Sequence, residues 1–181
     1  MTDSQIKQSI KTNELILGNW EKLTHYFIVV TLLFIPLIEL YLYLRDLLRG
    51  TPKSFDGEIT MFIIAPTILV IIFYILQRHR LQFKVIETNL TREELGKIIN
   101  QVSEELGWDI IKSNNRVIQA ITSPSFFSGS WGEQITILFD KNRVLVNSIC
   151  DPNNQSSIVS MGRNNRNVRR LINEIELASL N

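Results

Sequence analysis

The sequence predicts a membrane α-helical hairpin of two transmembrane helices, joined to a small cytoplasmic α+β domain with the element order β-α-β-β-β-β-α. Three observations lead to this fold class. Two long apolar runs lie close together in the first half of the chain. A helix pattern opens with a capping box and a second helix pattern closes the chain. Between them, strand patterns come in pairs joined by short turns, which favours antiparallel pairing.

The two apolar runs are Phe27 to Leu44 and Ile59 to Leu76, each of 18 residues. A helix rises about 1.5 Å per residue, so each run covers roughly 27 Å, close to the hydrocarbon thickness of a bilayer. A buried helical pair in a soluble protein is the competing interpretation. It is disfavoured because the rest of the chain is too short to cover two helices that are apolar on every face. We therefore expect residues 26–77 to form a two-span hairpin.

The distribution of basic residues predicts the orientation of this hairpin. The segment between the runs has half as many Lys and Arg residues as the two outer flanks together, and cytoplasmic flanks carry the excess. Both termini are therefore expected in the cytoplasm, and the protein is expected to be an integral, multi-pass protein of a bacterial inner membrane. The connection carries Arg45, Arg49 and Lys53, and the flanks carry Lys7, Lys11, Lys22, Arg78, Arg80 and Lys84.

Residues 1–25 precede the hairpin and have two open interpretations. Between Ser4 and Leu23, apolar residues recur near one helical face, which is typical of a helix lying in the membrane surface. Gly18 and Asn19 interrupt that pattern. A disordered cytoplasmic tail is the alternative.

Residues 78–181 are expected to form the cytoplasmic domain. An alternating pattern from Leu81 predicts a strand, and the T-x-x-E box at Thr91 predicts a helix that ends at Gly107. Two hairpins are expected around Asn114-Asn115 and around Lys141-Asn142. The chain should end with a helix from Asn164 to Leu180, so that two helices cover one face of the sheet. The pattern also allows a short additional strand over Ile158 to Met161.

Composition and motifs exclude several classes of function. From residue 81 onward, 11 basic and 11 acidic residues balance, so no basic field would attract nucleic acid. The single cysteine, Cys150, excludes an internal disulfide and a cysteine-rich zinc site. Histidine occurs at His25 and His79, beside the apolar runs, which leaves a nucleophile in the domain without an obvious base. No phosphate-loop, dinucleotide or zinc motif is present. We therefore expect neither a cofactor nor a metal site.

Two segments of the domain are candidate binding sites. The loop from Ser123 to Glu133 concentrates large aromatic rings among Ser and Gly, which suits a partner or the nearby bilayer; core closure is the structural alternative. Its rings are Phe126, Phe127 and Trp131. At the start of the last helix, exposed N–H groups and arginines suit a phosphate or carboxylate, with ordinary helix capping as the alternative. That candidate comprises Gly162, Arg163, Asn164 and Arg166.

Polar and helix-bending residues also occur inside the apolar runs. Pro36 and Pro66 fall at about the same depth of an antiparallel hairpin, and each removes a backbone hydrogen bond. Glu39 and Thr67 are polar groups within the predicted spans. A carboxylate there is costly for a passive anchor, so it suggests a polar lumen or an interhelical hydrogen bond.

These features predict a non-enzymatic membrane-anchored protein whose cytoplasmic domain binds a ligand or a protein partner. An oligomeric pore or channel, formed by the hairpin of several copies and controlled by the domain, is the alternative, and a membrane-tethered enzyme is a distant third. In layout alone the chain resembles small prokaryotic membrane proteins that join a two-span hairpin to a cytoplasmic sensing or assembly domain. The expected partners are the bilayer, further copies of the chain, and a cytoplasmic ligand or protein.

Overall fold

The computed structural model describes residues 1–51, 57–123, 131–154, 160 and 162–180, with the side chains of the second apolar helix from Met61 onward. Within these residues the chain contains six helices and five strands. The helices are α1 (Asp3–Thr12), α2 (Asn19–His25), α3 (Phe27–Leu48), α4 (Gly57–Arg80), α5 (Arg92–Leu106) and α6 (Arg163–Ser179), and the strands are β1 (Lys84–Glu87), β2 (Trp108–Ser113), β3 (Val117–Thr122), β4 (Glu133–Asp140) and β5 (Arg143–Cys150).

The chain divides into two compact units. The first, which we call the sheet unit, contains residues 1–25 together with residues 80–181; the second, the apolar hairpin, contains residues 26–79. The first and last segments of the chain therefore belong to one unit, and the two apolar helices lie between them in sequence.

The sheet unit is built on a fully antiparallel sheet of five strands in the order β1-β5-β4-β3-β2. The expected alternation of strands and helices is confirmed. The Asn114 turn forms because the Asn114 side-chain oxygen accepts hydrogen bonds from the backbone N–H groups of Arg116 and Val117, both at 2.9 Å. In the second turn Lys141 has a φ of 51°, the left-handed conformation that short hairpins need.

Helices α5 and α6 pack on one face of the sheet, as the sequence predicts. The capping box at Thr91 opens α5, and Gly107, with a φ of 65°, ends it. Apolar residues at helical spacing and the inward residues of the central strands form the core between the two layers. Its fully buried members include Ile99, Val102, Ile135, Ile137, Val146, Leu171 and Ile175.

The segment Met1 to Leu17, which we call the N-terminal strap, forms helix α1 and then an extended stretch, where the sequence left open a surface helix over Ser4 to Leu23 or a disordered tail. Helix α1 ends because Asn13 adopts a left-handed φ of 54°, a conformation that Asn tolerates better than most residues. The chain then runs extended, and Glu14 bridges Gln82 in an antiparallel pairing.

The N-terminal strap belongs to the hydrophobic structure of the sheet unit. Ile6, Leu15 and Leu17 are only 2%, 2% and 3% exposed. Backbone hydrogen bonds join Leu15 N to the Leu81 carbonyl at 2.7 Å and Phe83 N to the Asn13 carbonyl at 2.9 Å. Helix α1 packs on β4, and the face of the sheet turned away from α5 and α6 is buried as well.

The apolar hairpin consists of α3 and α4, with mean hydropathies of 2.3 and 2.0 over their most apolar parts. Both helices are long and apolar enough to cross a membrane, by length and composition alone. The ring of Tyr26 lies 5.7 Å from that of Tyr74, which brings the start of α3 beside the last turns of α4. Pro36 and Pro66 lie inside α3 and α4 respectively, and each helix continues past its proline.

Two of the sequence expectations fall outside the described residues. Phe126 and Phe127 of the aromatic loop are among residues 124–130, which the structure does not describe. The strand expected from Ile158 to Met161 falls on such residues too, except Ser160, which lies in no strand.

Candidate functional site

The predicted anion-binding segment lies at the start of α6. Gly162 has a φ of 84° and is the residue before the first turn, a conformation that favours glycine. Its carbonyl accepts a hydrogen bond from Arg166 N at 2.9 Å. Arg163, Asn164 and Arg166 all follow in the first turn of the helix, as the sequence predicts, but their side chains have different surroundings.

Arg163 is committed to a buried carboxylate. Its Nε lies 3.1 Å from Oε2 of Glu133, a side chain that is 0% exposed. Oε2 also accepts a short hydrogen bond from the Thr122 hydroxyl, and Thr122 Oγ1 accepts one from Glu133 N at 2.9 Å. A buried carboxylate is tolerated when a counter-charge and hydrogen bonds replace the lost water, and these groups supply both.

Asn164 and Asn167 continue this arrangement along the buried side of α6. The Ser148 hydroxyl donates to Asn164 Oδ1 at 2.9 Å and accepts from Asn167 Nδ2 at 3.2 Å. Asn167 Oδ1 accepts in turn from the indole N–H of Trp108 at 3.3 Å. We call these connected groups, together with the Glu133 pair, the polar network; its members are Trp108, Thr122, Glu133, Ser148, Cys150, Arg163, Asn164 and Asn167.

Cys150 is the member of the polar network that lies at the end of β5. It lies opposite Glu133 across the β4–β5 pair, and Asn164 Nδ2 lies 3.9 Å from its sulfur. Burial raises the pKa of the Cys150 thiol, and the hydrogen bond from Asn164 offsets only part of that effect. The thiol is therefore protonated at neutral pH and is a poor nucleophile.

A cavity of about 190 Å³ opens beside the polar network, between the end of α5 and the start of α6. Its carboxylate, Glu105, is held by Arg170 at 2.7 to 3.0 Å, and this contact lowers the pKa of Glu105. Arg163 Nη1 is buried and has no hydrogen-bond partner within the described part of the chain. The cavity is lined by Glu105, Leu106, Arg163, Arg166 and Asn167.

The side chains around this cavity differ in what they can do chemically. Guanidinium, amide and hydroxyl groups converge on it, but its thiol is protonated and histidine does not contribute. Among the described residues, no group of three or more His, Cys, Asp or Glu side chains is arranged to hold a metal ion. A small polar or anionic ligand is the occupant that these groups suit.

A second set of polar side chains crosses the face of the sheet that α5 and α6 do not cover. Lys112, Gln119, Thr136 and Asn147 lie directly opposite one another on four adjacent strands, and we call them the polar row. Lys112 donates to the Met1 carbonyl at 2.9 Å, and the Met1 amino group donates to Gln119 at 3.3 Å. Thr136 Oγ1 and Asn147 Oδ1 are buried without a hydrogen-bond partner in the described structure.

The remaining predicted residues lie apart from the polar network. Trp131 precedes β4 and is 51% exposed. In the apolar hairpin, Glu39 is half-buried on α3, and Thr67 donates to the Ile63 carbonyl of its own helix at 2.6 Å. That bond uses the hydroxyl proton of Thr67, the residue directly after Pro66, so the hydroxyl is not free to donate to another helix.

Sequence reasoning missed Thr122, Glu133, Ser148 and Asn167. A signal for Glu133 was present, because it shares the inward alternation of Ile135 and Ile137, and a carboxylate in a core register needs a partner. The partner is distant in sequence, so the pairing with Arg163 could be found only in three dimensions.

No protein-family model, no curated protein and no solved structure matches this chain.

Proposed function

We propose that the chain is a membrane-anchored binding protein: α3 and α4 cross a bilayer as a hairpin, and the sheet unit on the cytoplasmic side binds a small ligand or a partner. The observation that carries the proposal is that residues before α3 and residues after α4 fold into one unit. Both ends of the hairpin must then lie on the same side of any membrane it enters, which requires an even number of crossings.

The exposure of α3 and α4 supports insertion. In their most apolar parts only 11% of the α3 residues and 6% of the α4 residues are buried. Core helices of a soluble protein would be largely covered, and apolar surface left in water costs about 25 cal/mol per Å². A bilayer removes this surface from water without requiring another protein.

The basic residues support a cytoplasmic position for both ends. Six Lys or Arg residues flank the hairpin on its outer sides and three lie in the connection between the helices. This asymmetry supports a position of the connection outside the cytoplasm.

Site-directed labelling tests this topology. In a Cys150→Ser background, Thr51→Cys places a thiol in the connection and Lys97→Cys places one on the exposed face of α5. A membrane-impermeant maleimide should label Thr51→Cys in intact spheroplasts and Lys97→Cys only after permeabilisation. Labelling of Lys97→Cys in intact spheroplasts, or release of the protein by alkaline carbonate, would overturn the proposal.

The binding role is supported by the cavity beside the polar network. Arg166 lines it and is exposed, while Arg169 lies on the same helix and does not line it. Arg166→Ala should therefore weaken binding of inorganic phosphate or a nucleotide, and Arg169→Ala is the matched control. Calorimetric titration that detects no binding to the wild-type protein, or an equal loss in both variants, would contradict an anion site.

An oligomeric pore is the second candidate, and Glu39 is the observation that favours it. A carboxylate within an otherwise apolar span is costly unless it faces water or a polar partner. A ring of several hairpins would place it toward a shared axis, where it attracts cations. Glu39→Leu should then abolish cation conductance in reconstituted bilayers. A wild-type protein that is monomeric in detergent and carries no current would dismiss the pore.

A further inference from the structure

We call the end of the sheet that follows α4 in the sequence the entry end. Three residues separate the last residue of α4, Arg80, from the first residue of β1, Lys84. Arg80 is the last residue of α4, and its carbonyl accepts a hydrogen bond from Asn147 Nδ2 at 2.9 Å. Leu81 is already buried, and its carbonyl accepts the bond from Leu15 N of the N-terminal strap at 2.7 Å. Arg80 and Leu81 are therefore already part of the sheet unit.

The short connection between α4 and the sheet limits the distance between the entry end and the hydrocarbon core of a bilayer that α4 would cross. The apolar run of α4 ends at Leu76, and four polar or basic residues separate it from Leu81. At about 1.5 Å per helical residue they span roughly 6 Å. The polar layer on each side of a bilayer is about 5 to 7 Å thick. If α4 crosses the membrane, the entry end lies within the headgroup layer.

Exposed aromatic and apolar side chains occur on the segments at this end. Trp131 lies two residues before Glu133, and Glu133 pairs with Cys150 at the end of β5. The Trp131 side chain is 51% exposed. Trp20 and Leu23 are 71% and 47% exposed and lie one turn apart on α2. Helix α2 begins two residues after the buried Leu17 and leads directly into α3.

We propose that Trp20, Leu23 and Trp131 form a headgroup collar, a surface of the sheet unit whose partner is the phospholipid headgroup layer. The inference rests on the proposed membrane insertion and adds to it a contact by residues outside both spans. Indole rings favour this layer because they bury an apolar body while the N–H stays hydrated. Trp20 and Leu23 lie one turn apart, so they expose neighbouring apolar surface that the headgroup layer would remove from water.

Depth-dependent fluorescence quenching in the full-length protein tests the collar. The chain has three tryptophans, and Trp108 is an internal control because it is 6% exposed in the core of the sheet unit. Trp131→Phe leaves Trp20 and Trp108, and Trp20→Phe leaves Trp131 and Trp108. The double variant leaves Trp108 alone, so its emission can be subtracted from that of each single variant. Each is reconstituted in vesicles whose lipids carry bromine either near the headgroup or deep in the acyl chain.

Emission from Trp20 and from Trp131 should be quenched more by the shallow bromines than by the deep ones, with Trp108 unaffected. Both exposed indoles should also be shielded from aqueous iodide on reconstitution. Vesicles that retain the protein against carbonate while Trp20 and Trp131 stay unquenched and iodide-accessible would overturn the collar and leave the anchor intact. Failure of the protein to remain with the vesicles would instead overturn the membrane anchor on which the collar rests.

Discussion

Shortening one side chain of the N-terminal strap tests whether the strap is part of the folded sheet unit. Leu15 is 2% exposed, and its backbone N–H is bonded to Leu81. Leu15→Ala keeps that bond and removes buried apolar volume, which costs about 2 to 5 kcal/mol when a core leucine is truncated. The unfolding equilibrium constant should thus rise at least about 30-fold, since 1.4 kcal/mol corresponds to a factor of ten.

The assay is urea unfolding of the full-length protein in detergent, followed through Trp108 emission with Trp20 and Trp131 replaced by Phe. Trp108 lies in the core under α5 and α6, on the opposite face of the sheet from α1, so its signal reports the whole sheet unit rather than the strap. Leu180→Ala is the matched control, because Leu180 is 85% exposed and its truncation should change stability by less than about 0.5 kcal/mol. A Leu15→Ala midpoint equal to that of the control would refute the reasoning.

Three further outcomes follow from buried polar groups. Arg163→Ala should lower the free energy of unfolding by about 3 kcal/mol, because it removes the guanidinium that is paired with the buried Glu133 carboxylate. Arg166→Ala should have little effect, and Glu133→Gln added to Arg163→Ala should restore most of the loss in urea unfolding. Thr136→Val should raise stability by about 1 kcal/mol, because it removes a buried hydroxyl that has no hydrogen-bond partner among the described residues; a lower melting temperature would show that the hydroxyl is bonded. Burial raises the pKa of the Cys150 thiol, so the folded protein holds the thiol proton more tightly than the unfolded chain does. The free energy of unfolding should therefore fall as pH rises through the alkaline range. Cys150→Ala should remove that part of the pH profile.

The elements with local signals were predictable. The capping box at Thr91, the Asn114 turn with its side-chain-to-backbone hydrogen bonds and the apolar alternation of β4 each determine local structure through neighbouring residues. Both apolar helices are evident from length and composition, and α6 begins within one residue of its expected start.

The N-terminal strap was not predictable in the same way. Its apolar residues were assigned to one helical surface, but α1 ends at Asn13 and Leu15 then pairs with a segment 66 residues later in the chain. Local pattern carries no information about such a pairing. The domain expected over residues 78–181 therefore packs together with Ile6, Leu15 and Leu17, which are buried in the same unit.

Only part of the candidate site could be predicted, because its residues come from segments that are distant in sequence. Gly162 and the arginines after it could be singled out from sequence, and they do open α6. What the pattern could not reveal is that Arg163 is paired with Glu133, which leaves Arg166 as the more available cation of the two.

The placement of the N-terminal strap has a consequence for biosynthesis. The strap is synthesised before both apolar helices, and the strands it packs on are synthesised after them. If α3 and α4 cross a membrane as proposed, a chain in which only one of them had entered would hold the strap and the sheet on opposite sides, and the sheet unit would remain unfinished with an apolar face exposed. Under that proposal, completion of the sheet unit depends on correct insertion of both helices, and a protease that degrades unfolded chains would remove the molecules that failed.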